Sequence, residues 1–329
     1  MIRIFSFNGK KVDKKEIDNF EDTLLGQKRK DNVWIAVNNA TKKDAEILKR
    51  KFKIHPTTIE DMFFQHSRIK YEELEEYTLI VFKAIKKVGA LYLKTDNIAM
   101  VFGESILITV SPNGNQTIEN LISNEKKLET LLARGEDFIC HYIMDKEIDK
   151  YVETKNILGE DFKKLEREFI KKPGKEVLSK LFTKELVLLE LRQTIESTTD
   201  MVLNLIKPTD NYINNELIPY FRDVYDHAFK TTDSLKTTLG RINGMRNTYQ
   251  SIISNKMNET IRTLTILMAI MLPMTVITGF YGMNVHLPLQ NNVNAPALIA
   301  GLMILTSIII YFASRGLGWI KETEKLPYS

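Results

Sequence analysis

The chain has 329 residues, 43% of them hydrophobic and 27% charged, and its 46 Lys and Arg against 42 Asp and Glu leave a formal net charge of +4. So slight an excess argues against nucleic acid as a default partner, and a lone cysteine, Cys140, excludes a disulfide scaffold. Residues 263–314 contain no Asp, Glu, Lys or Arg, so every formal charge lies elsewhere and a soluble globular protein of one piece is excluded.

In chain order, 1–115 predicts a cytoplasmic α/β domain. Residues 2–7, 33–37, 77–82, 97–102 and 105–110 are short, rich in β-branched and aromatic residues and bounded by Asn, Gly or Pro, which predicts strands. Thr41 to Asp44 and Thr57 to Glu60 each place a hydroxyl three residues before a carboxylate, the pattern that satisfies the first free amides of a helix. The second pair, ending in Glu, is nearer to a true capping box. Residues 1–15 carry Arg3, Lys10 and Lys11 without the apolar core of a signal peptide.

From Gln116 the apolar spacing becomes helical, through Phe138, Ile139, Tyr142, Ile143, Ile148, Tyr151, Val152 and Leu158, until Lys172-Pro173-Gly174 breaks it. A second helix over about 176–206 ends before Pro208. Residues 116–215 thus predict an antiparallel helical hairpin.

A third helix is predicted over 216–281. Pro219 suits its first turn, and helical spacing runs through Val224, Leu235, Leu239, Ile242, Met245, Tyr249, Ile252, Ile253 and Ile261 into the charge-free zone. At about 1.5 Å per residue such a helix is about 100 Å long, far more than a membrane is thick. Its sustained apolar stripe calls for partner helices, and so for an oligomer.

Two apolar runs, 263–281 and 295–313, have 19 residues each, where about 20 cross a hydrocarbon core of about 30 Å. The loop between them, 282–294, lacks Lys and Arg, whereas Arg262 precedes the first run and Arg315, Lys321 and Lys325 follow the second. The positive-inside rule then puts the loop outside and both termini, including the tail 314–329, in the cytoplasm.

Steps of three and four from Asn258 give Ile261, Thr265, Met268, Leu272, Thr275, Gly279 and Gly282 on one helix face. Packed inward in several copies, that face makes a narrow channel whose apolar middle can gate by dewetting. Taken alone, it is equally a helix-packing surface. Asn284, where the first run ends, offers neutral oxygens suited to the waters of a hydrated cation, and Mg²⁺ is the divalent ion most reluctant to shed them.

Tyr281-Gly282-Met283-Asn284 at the end of the penultimate apolar run resembles the signature of the CorA family of magnesium transporters. The resemblance extends through Met257-Asn258-Glu259, Leu264-Thr265, Leu272-Pro273-Met274-Thr275, Thr278-Gly279-Phe280 and the stretch from Pro219 to His227. It implies an α+β membrane protein of the cell inner or plasma membrane, a homopentameric funnel in contact with lipid. Carried over by position, it implies selectivity at Gly282, Met283 and Asn284 and a pore lined by Asn258, Ile261, Leu264, Leu272 and Thr275. It also implies Mg²⁺ as both cargo and regulator, with Co²⁺ or other divalents accepted, bound between cytoplasmic domains at Asp223, Asp61 and Glu60 so that the channel closes when internal Mg²⁺ is high. Read without the family, Asp61 is a charge in the first turn of a helix and Asp223 a solvated stalk residue.

Two departures stand out. Family members often have Met in the constriction, where this chain has Ile261 and Leu272, and a loop Glu, where this chain reads His286-Leu287-Pro288-Leu289-Gln290. Enzymatic chemistry finds no support: the five His have no metal-ligand spacing, Cys140 has no identifiable base, and no Walker or dinucleotide fingerprint occurs. A divalent cation entering a cell whose interior is negative gains about 4.6 kcal/mol per 100 mV, twice the single-charge value, so influx needs no chemical fuel. The competing readings are a Zn²⁺, Co²⁺ or Ni²⁺ transporter of the same family and a membrane-anchored scaffold or signalling protein without a pore.

Overall fold

A computed structural model describes residues 2–15, 25, 31–64, 67–207, 214–288 and 293–319. His66, Pro208, Leu289, Gln290, Lys321 and Lys325, invoked above, lie outside the described residues. The chain divides into two compact units, Met1–Asn243 and Gly244–Ser329.

The first unit is built on a seven-stranded sheet of β1 (Ile2–Phe7), β2 (Val12–Lys15), β3 (Asn32–Asn38), β4 (Lys70–Glu73), β5 (Thr78–Val88), β6 (Leu93–Gly103) and β7 (Ile106–Ser111), in the order β2-β1-β3-β7-β6-β5-β4. β3 and β7 pair in parallel and the other neighbours are antiparallel. Helices α1 (Lys42–Phe52) and α2 (Pro56–Phe63) bring Leu48, Phe52 and Met62 against Val33, Ile35, Val37, Leu79, Val101 and Ile108 in one fully buried cluster. Each such side chain contributes roughly 1.5–3 kcal/mol by leaving water. Trp34, equally buried, stacks on Phe5 with centroids 5.3 Å apart, and its indole N–H donates to Thr109 Oγ1 at 3.1 Å.

β2 and β4 escape the sequence reading, which predicted five strands. Both lie at the two edges of the sheet and read Val-Asp-Lys-Lys and Lys-Tyr-Glu-Glu. Edge strands carry charge because it discourages pairing with a further chain, and the same charge erases the apolar pattern that announces a strand.

The two capping predictions exchange rank. Thr41 and Asp44 form the reciprocal box, with Asp44 Oδ2 accepting from the Thr41 amide at 2.8 Å. Thr57 does not cap α2. Pro56 occupies the first turn, which moves the cap back to His55, whose Nδ1 accepts from the Thr57 amide at 3.4 Å.

The helical pattern predicted from Gln116 is three helices, α3 (Gln116–Ser123), α4 (Glu125–Arg134) and α5 (Asp137–Lys171). Asn115 and Asn124 cap the first two by accepting from the Ile118 and Lys127 amides at 3.0 and 3.1 Å, and Gly135, at φ +143°, ends the second. α6 (Lys175–Ile206) returns antiparallel to α5, tied to it by Lys184–Asp161 at 2.8 Å and Lys180–Glu168 at 3.7 Å. A short 3₁₀ turn at Asn215–Leu217 leads into α7 (Ile218–Tyr281), whose Phe221, Val224, Ala228, Leu235, Leu239 and Ile242 are buried in this unit.

The second unit holds the rest of α7, with Pro273 inside it, and α8 (Ala295–Gly316). Both helices are long and apolar enough to cross a membrane, their most apolar 18-residue stretches having mean hydropathies of 1.9 and 2.2. Within the chain those stretches expose their side chains, which suits a hydrocarbon surrounding or partner helices but not water.

Candidate pore and cation-sensing residues

α7 carries Asn258, Ile261, Leu264, Leu272 and Thr275, all exposed. At about 100° per residue these five fall within an arc of about 120°, so they share one face of the helix. The hydroxyls of Thr265 and Thr275 on that face donate to the carbonyls of Ile261 and Met271 at 2.8 and 3.0 Å. Each proton is thereby committed, leaving the oxygen as an acceptor.

α7 closes in an orderly way. The Gly282 amide donates to Thr278 O at 2.9 Å and the Met283 amide to Phe280 O at 3.3 Å. A Cβ at Gly282 would lie 3.0 Å from Thr278 O, so a side chain there would push against the last helical turn. Asn284 follows, exposed, beside the carbonyl end of α7. That end carries the negative pole of the helix dipole, a cation-favouring field in a segment with no charged side chain of its own.

The sensing candidates lie in the first unit. Glu60 is exposed on α2. Asp61 is not in the first turn of that helix, which contains no acidic residue, so the dipole reading of it is corrected. Instead Asp61 Oδ2 accepts from the Lys70 ammonium of β4 at 2.6 Å, and Glu72 Oε2, two residues along β4, accepts from the same ammonium at 2.6 Å. Burial works to lower the Lys70 pKa, but the hydrogen bonds and charges of Asp61 and Glu72 outweigh it and the net shift is upward.

Asp223, exposed on α7, has His227 Nε2 one turn on at 3.8 Å. Close by on α5, His141 packs edge-on against Tyr220 and Phe221, with centroids 5.4 and 5.7 Å away. Burial lowers its pKa, against the opposing pull of Asp145 and Asp223. Among the described residues no three His, Cys, Asp or Glu come together in a form that could hold a metal, so one copy of the chain does not assemble Glu60, Asp61 and Asp223 into a ligand set. Lys70 and Glu72 were missed by sequence reasoning. The available signal was their spacing of two, which puts both on one side of a strand, but β4 itself was not recognised.

The sheet unit, the helix running on into an apolar stretch, the Gly-Met-Asn turn and the second apolar helix together define a membrane protein of the two-helix transporter type. The chain belongs to the CorA family: the family described as CorA-like Mg²⁺ transporter protein matches residues 29–313. It is thus a metal ion transporter by family and not a member of an enzyme class.

The chain is similar to the cobalt/magnesium transport protein CorA of Thermotoga maritima, 27% identical over 289 residues that cover 86% of this chain and 82% of the relative. It is also similar to the protein of that name from Methanocaldococcus jannaschii, 23% identical over 92% of this chain and 93% of the relative. The complete structure of the CorA magnesium transporter from Methanocaldococcus jannaschii has the same fold, with a TM-score of 0.77 over 97% of this chain and 99% of that one at 23% identity. The ZntB cytoplasmic domain from Vibrio parahaemolyticus shares the fold over 77% of this chain and 99% of its own, with a TM-score of 0.60 at 11% identity.

Proposed function

We propose that the chain forms a homopentameric channel for passive, potential-driven Mg²⁺ influx, gated by intracellular Mg²⁺. The observation that carries this reading is that Asn258, Ile261, Leu264, Leu272 and Thr275 share one face of α7, with the exposed Asn284 following at the negative pole of the helix. Five copies packing that face inward enclose a path that is polar at Asn258, apolar at Ile261, Leu264 and Leu272, polar at Thr275, and ringed at its outer mouth by Gly282, Met283 and Asn284. A hydrated Mg²⁺ donates from its waters to those neutral oxygens without being stripped, so it is recognised and released. Both termini lie in the cytoplasm on this reading, and the driving force is the membrane potential alone.

Gating follows from charge. Asp223, Asp61 and Glu60 on neighbouring subunits repel one another until a divalent cation bridges them, so high internal Mg²⁺ favours the compact, closed ring. A second reading, Co²⁺ as cargo, is favoured by the names of the two relatives, which pair cobalt with magnesium.

Uptake of Mg²⁺ into proteoliposomes under an imposed negative-inside potential tests the proposal. Flux that rises with potential, needs no nucleotide and is competed by Co²⁺ is expected; no flux at any potential would overturn it. Protection of the stalk from protease by Mg²⁺ tests the gate. Asp223→Ala is expected to need more Mg²⁺ for the same protection, and a curve identical to the parent's would remove Asp223 from the sensor.

A further inference from the structure

The parallel strands β3 and β7 send the helices that follow them to opposite faces of the sheet. α1, after β3, packs Leu48 and Phe52 on the face that carries Val33, Ile35 and Val37. α3, after β7, lies on the other face, where Glu119 accepts from Arg3 of β1 and from Asn38 of β3, each at 2.8 Å. Where neighbouring parallel strands part in this way a crevice opens outside their carboxyl ends, and in an open α/β sheet that crevice is where ligands bind. Here it is a cavity of about 370 Å³, lined by the ends of β3 and β7 at Asn38 and Asn113 and by Lys86, Asp96 and Lys150. That volume is within the range of small-molecule sites.

Three buried oxygens at this corner of the sheet lack a hydrogen bond. Asp96 lines the cavity with its side chain 9% exposed, and its Oδ1 accepts from Asn113 Nδ2 at 2.9 Å. Its Oδ2 is 2.7 Å from the Lys86 ammonium, in ion-pair range but outside hydrogen-bond geometry. Glu147, fully buried on α5, takes Asn115 Nδ2, Thr117 Oγ1 and Lys150 Nζ on Oε1 alone, at 3.0, 2.6 and 2.8 Å, and leaves Oε2 bare. Ser111 Oγ, at the end of β7, is the third. Buried acceptors without donors are costly, so the corner calls for a ligand that donates hydrogen bonds. The lysines call for one that accepts. An ammonium has three N–H donors, and Lys150 commits two of them, to Glu147 and Thr117. Because two lysines balance Asp96 and Glu147, neither a bare cation nor a bare anion is matched.

We propose that this cavity binds a sugar phosphate, free or as the ribose phosphate of a nucleotide. The sugar hydroxyls donate to Asp96 Oδ2, the one of the three bare oxygens on a lining residue, and the phosphate accepts from Lys86 and Lys150. Glu147 positions Lys150. Among the described residues no aromatic side chain lines the cavity, so a base finds no stacking surface and the sugar with its phosphate is the recognised unit.

The test uses the full-length protein in detergent at fixed Mg²⁺, with equilibrium dialysis against ribose 5-phosphate, adenosine monophosphate, ribose and inorganic phosphate. The parent is expected to bind one ribose 5-phosphate per chain about tenfold or more tighter than ribose or phosphate, since a site built for a hydroxyl rejects the analogue without it. Adenosine monophosphate bound equally tightly supports the free sugar phosphate as ligand, and bound about tenfold tighter it supports a nucleotide. Asp96→Asn should weaken ribose 5-phosphate about tenfold and leave inorganic phosphate unmoved. Lys86→Gln should weaken both, and Lys86→Arg should restore them. Trp34 fluorescence checks that each variant is folded. Should Asp96→Asn fail to fold, Lys86→Gln, at a side chain 43% exposed, carries the test by itself. No saturable binding of either phosphorylated sugar, phosphate binding as tightly as ribose 5-phosphate, or binding unchanged in Lys86→Gln overturns the proposal.

Discussion

Glu136 and Asp137, side by side where α5 begins, are 8% and 5% exposed. Asp137 Oδ2 accepts from the Asn214 amide at 3.0 Å, which ties the start of α5 to the turn leading into α7. Burial pushes the Glu136 carboxyl up to about 7, against its own backbone amide and with help from the charge of Asp137. Burial likewise pushes Asp137 up to about 6, against hydrogen bonds from the backbone of Asn214 and Phe138. An acid whose pKa rises on folding binds its proton more tightly when folded. Stability is therefore greatest while both groups are protonated, falls as pH climbs from about 4 towards 7, and is lowest above that window.

For Glu136 alone, moving from the ordinary carboxyl value of 4.5 to about 7 corresponds to about 3 kcal/mol lost on ionisation. The loss is not additive with that of its neighbour, because adjacent groups titrate as a pair. Glu136→Gln should remove most of it, raising the unfolding midpoint at pH 8 by about 5 °C or more and leaving it nearly unchanged near pH 5. Fluorescence of Trp34, buried in the same unit, reports the transition. His141, with its lowered pKa, works the other way, since stability is lost as it charges below about pH 6.5. Comparing variant with parent at each pH cancels that contribution. Carboxylates held below their usual range, such as Glu119 beside Arg3 and Asp161 beside Lys184, lose their contribution only at more acid pH. Parallel pH profiles for Glu136→Gln and the parent would refute the reasoning.

Asn284→Ala is expected to cut Mg²⁺ flux about tenfold or more, the equivalent of one interaction of about 1.4 kcal/mol, while size-exclusion chromatography shows the assembly intact. Asn284→Asp should bind divalents more tightly and discriminate less among them; an unchanged competition profile would count against direct contact with the hydrated ion. Ile261→Gly and Leu272→Gly should each raise basal flux at high internal Mg²⁺, because a wider, less apolar neck costs less to hydrate, and parental leak in both assembled variants would place the gate elsewhere. Thr41→Ala should cost about 1 kcal/mol in denaturant unfolding through loss of the α1 cap, with Thr41→Ser close to the parent. An equal loss in both would show that the hydroxyl is not what stabilises the helix.

The apolar helices and the inner strands were legible in the sequence because their signals are local. The charge-free stretch 263–314, the helical spacing up to Ile261 and the β-branched runs of β3, β6 and β7 each state their structure within a few residues of themselves. So is the Tyr-Gly-Met-Asn turn, whose residues are contiguous. What depended on distant parts of the chain was not legible. β2 and β4 are strands only because a sheet is there to pair with, and their own residues are charged. The breaks at Asn124 and Gly135 interrupt a pattern whose period continues across them. Glu136 is buried beside Asp137, whose carboxylate the turn before α7 engages through the Asn214 amide, a contact made by residues 77 positions apart. Asp61 shows the difference most sharply: the sequence offered it as a first-turn helix charge or, through the family resemblance, as a cation-binding carboxylate, and only the docking of β4 beside α2 brought Lys70 and Glu72 to it, because an ion pair formed across the fold leaves no periodic trace in the chain.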